Sequence, residues 1–493
     1  MIYGKIMGRI MKKIRNGLVA LCLLTGCGNL GMVKQQDKDV VLYLSQMDAG
    51  WYVEDDYDLY TALEIPTVDV VNERLQELQS GLHLTVKVCP SPDESADGKV
   101  MIENIKSNDP DADIVPFSQF AVSEYEPLDS MWEEDLNTYY SAKRLDTLRI
   151  HGHLMHFPKI IYPLVSPLVY VDENYYSQNQ AILENVVREP MALLRYLCDS
   201  FEMQEDIILT DRIDFSSVVS DKYQNISDTF FYIRKEDGQV VDPYEEPELR
   251  NIIMLASNMR VAGVTGVGMD PAAYDKASSQ MKFAIMTTMA YDDGEERAIN
   301  GKLQFKAGHD EYCYEGGFSV LKDSDEKEDA YRLMHILLTD PECSELLQYG
   351  TEPKRDPSGK IEDNSHMRFG TWRVLGNNYL TESAVNEPDD KLNYYINKEE
   401  DSDVHEMNIY PTVFDLEEIS SSLSKFEKIV SEAGDDMDIH ACLACTVKTE
   451  YVPSTEEYMH KIDVLEERLQ EAGIADVMAV LQEQVDGYEA QHS

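Results

Sequence analysis

Val40-Val41-Leu42-Tyr43-Leu44, His83-Leu-Thr-Val-Lys-Val-Cys89 and Asp111-Ala-Asp-Ile-Val-Pro-Phe117 are three short apolar or alternating runs with polar, helix-period stretches between them. The first is apolar and bounded by turn formers, as a buried strand is; the second alternates; the third runs into a loop. Between the first two, Pro66-Thr-Val-Asp-Val-Val-Asn-Glu-Arg-Leu-Gln-Glu-Leu78 places Val68, Val71, Leu75 and Leu78 near helical spacing, and a second helix is predicted over 99–107. Strands alternating with helices in this way imply parallel βαβ units and an open α/β sheet. Ligands of such sheets gather at the carboxyl ends of the strands, here the loops after Leu44 and after Val115.

Downstream, Gly152-His-Leu-Met-His-Phe-Pro158 reads as a strand ending in proline. Ser166-Pro-Leu-Val-Tyr-Val-Asp-Glu-Asn174 reads as another, with helices expected near 178–202 and 245–262 and a strand again at Met281–Thr288. Asp325–Leu338 is amphipathic, with Ala330, Leu333, Met334 and Leu337 on one face. The C-terminal stretch is mostly helical, most plainly Ser454–Ala472 and Ile474–Ala490 on either side of Gly473.

The N-terminus reads as an export signal. Residues 1–16 carry five basic side chains and no acid, then Gly17–Leu24 is apolar, and Leu24-Thr25-Gly26-Cys27 follows. A basic region, a brief apolar region and small residues at a cleavage point describe a secretory signal, and the apolar run is well short of the roughly 20 residues of a spanning helix. Leu24–Cys27 resembles the bacterial lipobox, so 1–26 is expected to be removed and Cys27 to carry the lipid; Met11 starts a more conventional signal than Met1. Residues 27–38 suit a tether.

The 493 residues carry a net charge of −49, more negative still without the basic signal. A field of that size repels nucleic acid and anionic ligands and favours neutral or cationic ones. Of the other mature cysteines, Cys89, Cys198, Cys313, Cys343, Cys442 and Cys445, the tight pair Cys442–Cys445 lacks the second pair of a zinc site and the βαβ context of a redox motif; a structural role or a local disulfide is expected. His151, His153 and His156 lack flanking carboxylates at ligand spacing, so no metal is expected. Pairs such as Asp55-Asp56 and Asp292-Asp293 could serve glycoside hydrolysis, but pairs arise by chance among 92 acids. No G-x-S-x-G, H-E-x-x-H or P-loop occurs.

Taken in order, several segments resemble the extracellular solute-binding proteins of family 1, the carbohydrate-type, lipid-anchored receptors of ABC importers. They are Asp113-Ile-Val-Pro-Phe117, Glu134-Asp-Leu-Asn137, Gly152–Pro158 and Ser166–Asp172, then Gly316-Gly-Phe-Ser-Val-Leu-Lys322, Lys327–Leu333, Leu338–Glu342 and Leu347–Gly350, then Gly370–Asn377 and Ile462–Gln484. His153 and His156 depart from the family's crossing-strand pattern. The resemblance implies a two-lobed periplasmic-binding-protein-like α/β fold of type II, with hinge-linked lobes and C-terminal helices. The lobes implied are 39–158 with a return segment at about 283–318, and 159–282 with about 319–493. It also implies a small solute, most readily a sugar, held between the lobes without cofactor, and a membrane permease as partner at the outer face of the membrane.

Sugar recognition stacks aromatic rings on pyranose faces and places planar polar groups at hydroxyl spacing. Trp51 and Tyr52 follow the first strand, Phe117 and Ser118 end the third, Tyr291 and Asp292 end the return strand, and Trp372 and Asn377 lie in the segment 370–377; these are the candidate ligand contacts. Trp132 is expected to pack at a lobe surface. A peptide or cationic-solute receptor on the same fold, an exported lipoprotein enzyme and an adhesion module remain alternatives.

Overall fold

The computed structural model describes residues 37–45, 67–89, 98–160, 164–189, 222–227, 229–261, 283–289, 302–306, 311–312, 316–350, 355–361, 375–383, 387–399, 413–443 and 455–492, with a few single positions besides. Cys27, the signal and nearly all of the tether lie outside the described residues.

The expected βαβ pattern is present. Strand β1 (Lys38–Leu44) is followed by helix Thr67–Glu77, β2 (Leu82–Val88), helix Gly98–Asn108 and β3 (Ala112–Pro116). The first helix buries Val71 and Leu75, and carries Asp69 in its first turn and Arg74 in its last, as the helix dipole favours. β1 and β3 are parallel, with a register shift between Val41 and Leu42. The buried Asp113 sits beside that irregularity. Its Oδ2 accepts from the Val41 N–H at 2.9 Å and its Oδ1 from the Ser324 hydroxyl at 2.6 Å, so this acid of the 113–117 motif holds the sheet together.

The strand expected over 152–158 is broken into pieces. β4 (Arg149–Ile150) and β5 (His153–Leu154) form a hairpin, and β6 (Phe157–Pro158) joins the main sheet. The hairpin turns on His151 and Gly152, with φ of 51° and 81°; a two-residue turn with both φ positive matches the twist of its strands. The chain then crosses into β7 (Leu164–Asp172) and helix Glu173–Val186. A small antiparallel sheet follows, β8 (Tyr223–Asn225), β9 (Tyr232–Arg234) and β10 (Gln239–Val241), then helix Pro247–Val261. β11 (Phe283–Met289), β12 (Lys302–Lys306) and β13 (Glu311–Tyr312) all pair antiparallel with β7.

β14 (Gly317–Val320) returns the chain to the first sheet, whose order is β2-β1-β3-β14-β6. A Cβ on Gly317 would lie 2.3 Å from the Phe157 carbonyl oxygen and 2.4 Å from the His156 ring, so only glycine fits there, and Gly316 takes φ of 74°. Helix Lys327–Thr339 buries Ala330, Leu333, Met334 and Leu337, the face expected from its spacing. Asp340 caps the next helix, Pro341–Tyr349, and receives two bonds from Arg74.

Two separate hydrophobic cores result. One gathers side chains from 40–160, 318–347 and 375–413; the other gathers 169–254 and 414–485, including the helices Ser420–Ala433, Thr455–Ala472 and Ile474–His492. The lobe division drawn from the sequence therefore shifts. β11 and β12 belong to the second lobe through β7, while the buried side chains of 318–347 and of 375, 379, 395 and 413 pack in the first, the buried face of helix Lys327–Thr339 joining the core of the first sheet. Among the described residues, no helix is long and apolar enough to cross a membrane.

Candidate functional site

The carboxyl ends of β1 and β3 lie on the same edge of the first sheet, where open α/β folds bind ligands. Of the loops there, 46–66 and 90–97 lie outside the described residues, and 117–124 is described. Phe117 is half-buried, and its N–H donates to the Gly317 carbonyl at 2.9 Å. Its ring stacks on His156 with centroids 4.2 Å apart and 18° between planes, and tilts against Tyr125 at 5.7 Å. Burial, with the Arg144 charge second, pushes the His156 pKa down to about 3. The imidazole is thus neutral at any ordinary pH, and it backs Phe117 with an uncharged aromatic layer.

Ser118 is committed to the fold. Its Oγ accepts from the Phe120 N–H at 3.3 Å and caps the 3₁₀ turn Gln119–Glu124, and its own N–H donates to the Tyr125 hydroxyl at 3.0 Å. The next two residues reach the second lobe. The buried Gln119 accepts the Phe414 N–H on Oε1, donates from Nε2 to the Ser227 carbonyl at 3.2 Å, and accepts the Leu416 N–H on its backbone carbonyl at 3.0 Å. Phe120 packs against the second core. Phe117 therefore stands two residues from a contact between the lobes.

On the second lobe, the carboxyl end of β7 leads directly into half-buried aromatics. Asp172 caps its helix by accepting from the Tyr175 N–H at 3.0 Å. The Tyr175 hydroxyl pairs with that of Tyr196 at 2.9 Å. Tyr176 stacks on Phe305 with centroids 5.1 Å apart, and the Arg188 guanidinium lies 5.6 Å from the Phe305 ring. Sequence reading passed over these residues, although a Tyr-Tyr pair directly after a strand was a visible signal.

Trp51, Tyr52, Tyr291, Asp292 and Trp372 lie outside the described residues. Asn377 is described, and it is not placed to meet a ligand. It is fully buried in the first lobe: its Oδ1 accepts from the Tyr379 N–H at 3.0 Å, its Nδ2 donates to the Leu338 carbonyl at 2.8 Å, and its N–H donates to Ser344 Oγ at 3.1 Å. Trp132 packs on Phe157 and Tyr140 and donates to Asn137, as expected. The three histidines separate: His151 meets Asp415 at 3.0 Å, His153 meets Asp129 at 3.1 Å, and His156 is buried. Cys89, Cys343 and Cys442 are buried.

A cavity of about 440 Å³ lies beside the segment that crosses between lobes at 413–418, between the turn 149–152 and the last helix. Gln484 of that helix bonds both backbone groups of Asp415, accepting its N–H at 2.9 Å and donating to its carbonyl at 2.8 Å. The sequence reading missed this site, because its residues come from three distant segments.

No family profile matches the chain, and no curated protein matches it in sequence. Solved structures do. The N-glycan transport solute binding protein NgtS from Streptococcus pneumoniae, in complex with Man1GlcNAc, superposes with a TM-score of 0.60 at 16% identity, covering 92% of this chain and 99% of that one. The same protein in complex with Man5GlcNAc gives 0.59 at 17% identity, covering 92% and 99%. The S. pneumoniae ABC-transporter substrate binding protein FusA, in complex with kestose, gives 0.51 at 13% identity, covering 92% and 100%. The fold is that of the two-lobed, periplasmic-binding-protein-like receptors of ABC transporters.

Proposed function

We propose that this chain is the solute-binding receptor of an ABC importer, tethered by lipid at Cys27 to the outer face of the membrane, and that it captures a carbohydrate between its lobes. The observation that carries the reading is the Phe117–His156 stack at the carboxyl edge of the first sheet, two residues from the interlobe contact of Gln119. A flat, uncharged aromatic platform suits the face of a pyranose, and a neutral sugar tolerates a protein of net charge −49. The likeness to NgtS and FusA across 92% of the chain supports the same role. Closure of the lobes about their crossing segments would bury the solute. The closed form would then be read by a permease, with no bond made or broken.

Thermal-shift and calorimetric screening of the mature chain against neutral oligosaccharides tests this. A ligand at a hundred times its Kd adds about 2.7 kcal/mol to stability. A panel in which no glycan stabilises the chain would sink the sugar reading. The charge favours one competing reading, a cationic solute or basic peptide, which salt-sensitive binding of a basic peptide would support. For the anchor, mass spectrometry of the native N-terminus should find a diacylated Cys27; an intact signal or an unmodified Cys27 would refute it.

A further inference from the structure

We propose that Glu133, Asp135 and His335 form a binding site for a divalent cation of the zinc type on the first lobe. Their ligand atoms all lie within 4.8 Å of one another. His335 Nε2 is 3.0 Å and 3.1 Å from the two Asp135 oxygens and 3.6 Å from Glu133 Oε2. Ligands at about 2.0 Å in a tetrahedral shell stand about 3.3 Å apart, and the observed separations bracket that edge.

The three residues come from two elements. Asp135 lies in the 3₁₀ turn Glu134–Thr138, Glu133 immediately precedes it, and His335 lies on helix Lys327–Thr339. These elements are held together by contacts other than the ligands. The Tyr331 hydroxyl accepts the Glu133 N–H at 2.8 Å, and its ring packs on Phe157 at 5.2 Å. The His335 ring lies parallel to that of Tyr331, one helical turn away, at 6.4 Å and 20°. Leu136 anchors the turn, and Leu333, Met334 and Leu337 anchor the helix, all buried. The imidazole therefore projects from a rigid surface.

His335 meets Asp135 at hydrogen-bond distance and Glu133 at a longer one. Glu133 stands at ion-pair rather than hydrogen-bond distance, 3.6 Å from the imidazole, and at the head of its turn it makes no side-chain capping bond. A metal uses all three groups. Two carboxylates and a neutral imidazole carry two negative charges, which match a divalent cation. The nitrogen ligand selects zinc and its neighbours over calcium and magnesium, which take oxygen. Glu133 and Asp135 are exposed, which leaves the remaining positions to water.

The test is calorimetry of the mature chain with Zn²⁺ alone against a competing chelator, together with cobalt absorption spectroscopy, in the wild type, in His335→Ala and in Glu133→Gln/Asp135→Asn. Circular dichroism confirms that each variant is folded. The expected result is one specific equivalent in the wild type, weakened at least tenfold in both variants, with a cobalt spectrum that changes on loss of the histidine. The absence of a specific equivalent, or equal affinity in wild type and His335→Ala, would overturn the proposal. So would preferential Ca²⁺ binding that His335→Ala leaves intact, which would mark a generic acidic surface.

Discussion

Asp242 opposes folding at neutral pH, and replacing it with asparagine removes that opposition. The residue follows β10, is 1% exposed, and lies in the turn that enters helix Pro247–Val261. Its Oδ1 accepts from the Tyr244 N–H at 2.9 Å, while its Oδ2 has no hydrogen-bond partner among the described residues. Burial, reinforced by Glu466 and Glu245 and only partly offset by Arg250, raises its pKa to about 7. Arg250 has its own partners in Asp463 and Glu466. In the unfolded chain the same carboxyl titrates near 4. A carboxyl raised on folding contributes stability that is complete below its unfolded pKa and is lost as pH rises through its folded pKa. At about 1.4 kcal/mol per pKa unit, the full loss is about 4 kcal/mol, of which about 2.5 kcal/mol falls between pH 5 and pH 8. Asp242→Asn keeps the acceptor for Tyr244 and cannot ionise, so any packing or hydrogen-bond cost it carries is the same at every pH. Urea unfolding followed by circular dichroism at pH 5, 6, 7 and 8 should show the variant gaining on the wild type as pH rises, by about 2.5 kcal/mol overall. A difference that stays flat within about 0.5 kcal/mol across that range would refute the assignment of a raised pKa to Asp242.

Phe117→Ala should weaken binding of any glycan that stabilises the wild type by about tenfold, or about 1.4 kcal/mol, while Phe117→Tyr keeps most of the affinity; calorimetry checks both. Lys391→Met should cost about 3–5 kcal/mol in urea unfolding, because it strips the cation from Glu387 in a pair whose side chains are 1% and 4% exposed and 3.1 Å apart. Lys391→Met with Glu387→Gln should cost much less. Gly317→Ala should lower the melting temperature far more than Gly316→Ala, since a Cβ at Gly316 meets nothing within 4 Å, though its φ of 74° still carries some strain.

The elements whose own spacing reports burial were legible in the sequence. The stripe Ala330, Leu333, Met334, Leu337 is buried as its period implies, and the first three strands of the first sheet fall where the apolar runs put them. Partner choice was not legible. The amphipathic pattern of 327–339 shows that one face is covered and is silent on which sheet covers it; the resemblance placed 319–493 with the second lobe, whereas the buried face of this helix joins the first core. Period also failed at 152–158, where the run divides at Met155 and His156: His153–Leu154 pairs back on Arg149–Ile150, while Phe157–Pro158 joins the main sheet. Asn377 misled for a chemical reason. A planar amide that could meet two sugar hydroxyls meets a carbonyl and an N–H of its own chain equally well, and here it does. Gln484, part of the closing segment that matched the family by resemblance, has a plain structural task in bonding the backbone of Asp415.

That backbone is where the two lobes meet most closely in sequence. Val413 belongs to the first core and Phe414 to the second, so the chain changes lobe across one peptide bond. The N–H groups of three successive residues are then taken up from different sides: Phe414 by the Gln119 side chain, Asp415 by Gln484, and Leu416 by the Gln119 carbonyl. His151 of the first lobe adds a contact to the Asp415 carboxylate. A crossing held by this many bonds resists changes in φ and ψ, so a closure of the proposed receptor would take little of its rotation here. Phe117 stands two residues from Gln119, so in the proposed receptor its ring and the imidazole stacked on it would be set before a solute arrives. Such a platform would bind without paying the entropy of ordering itself.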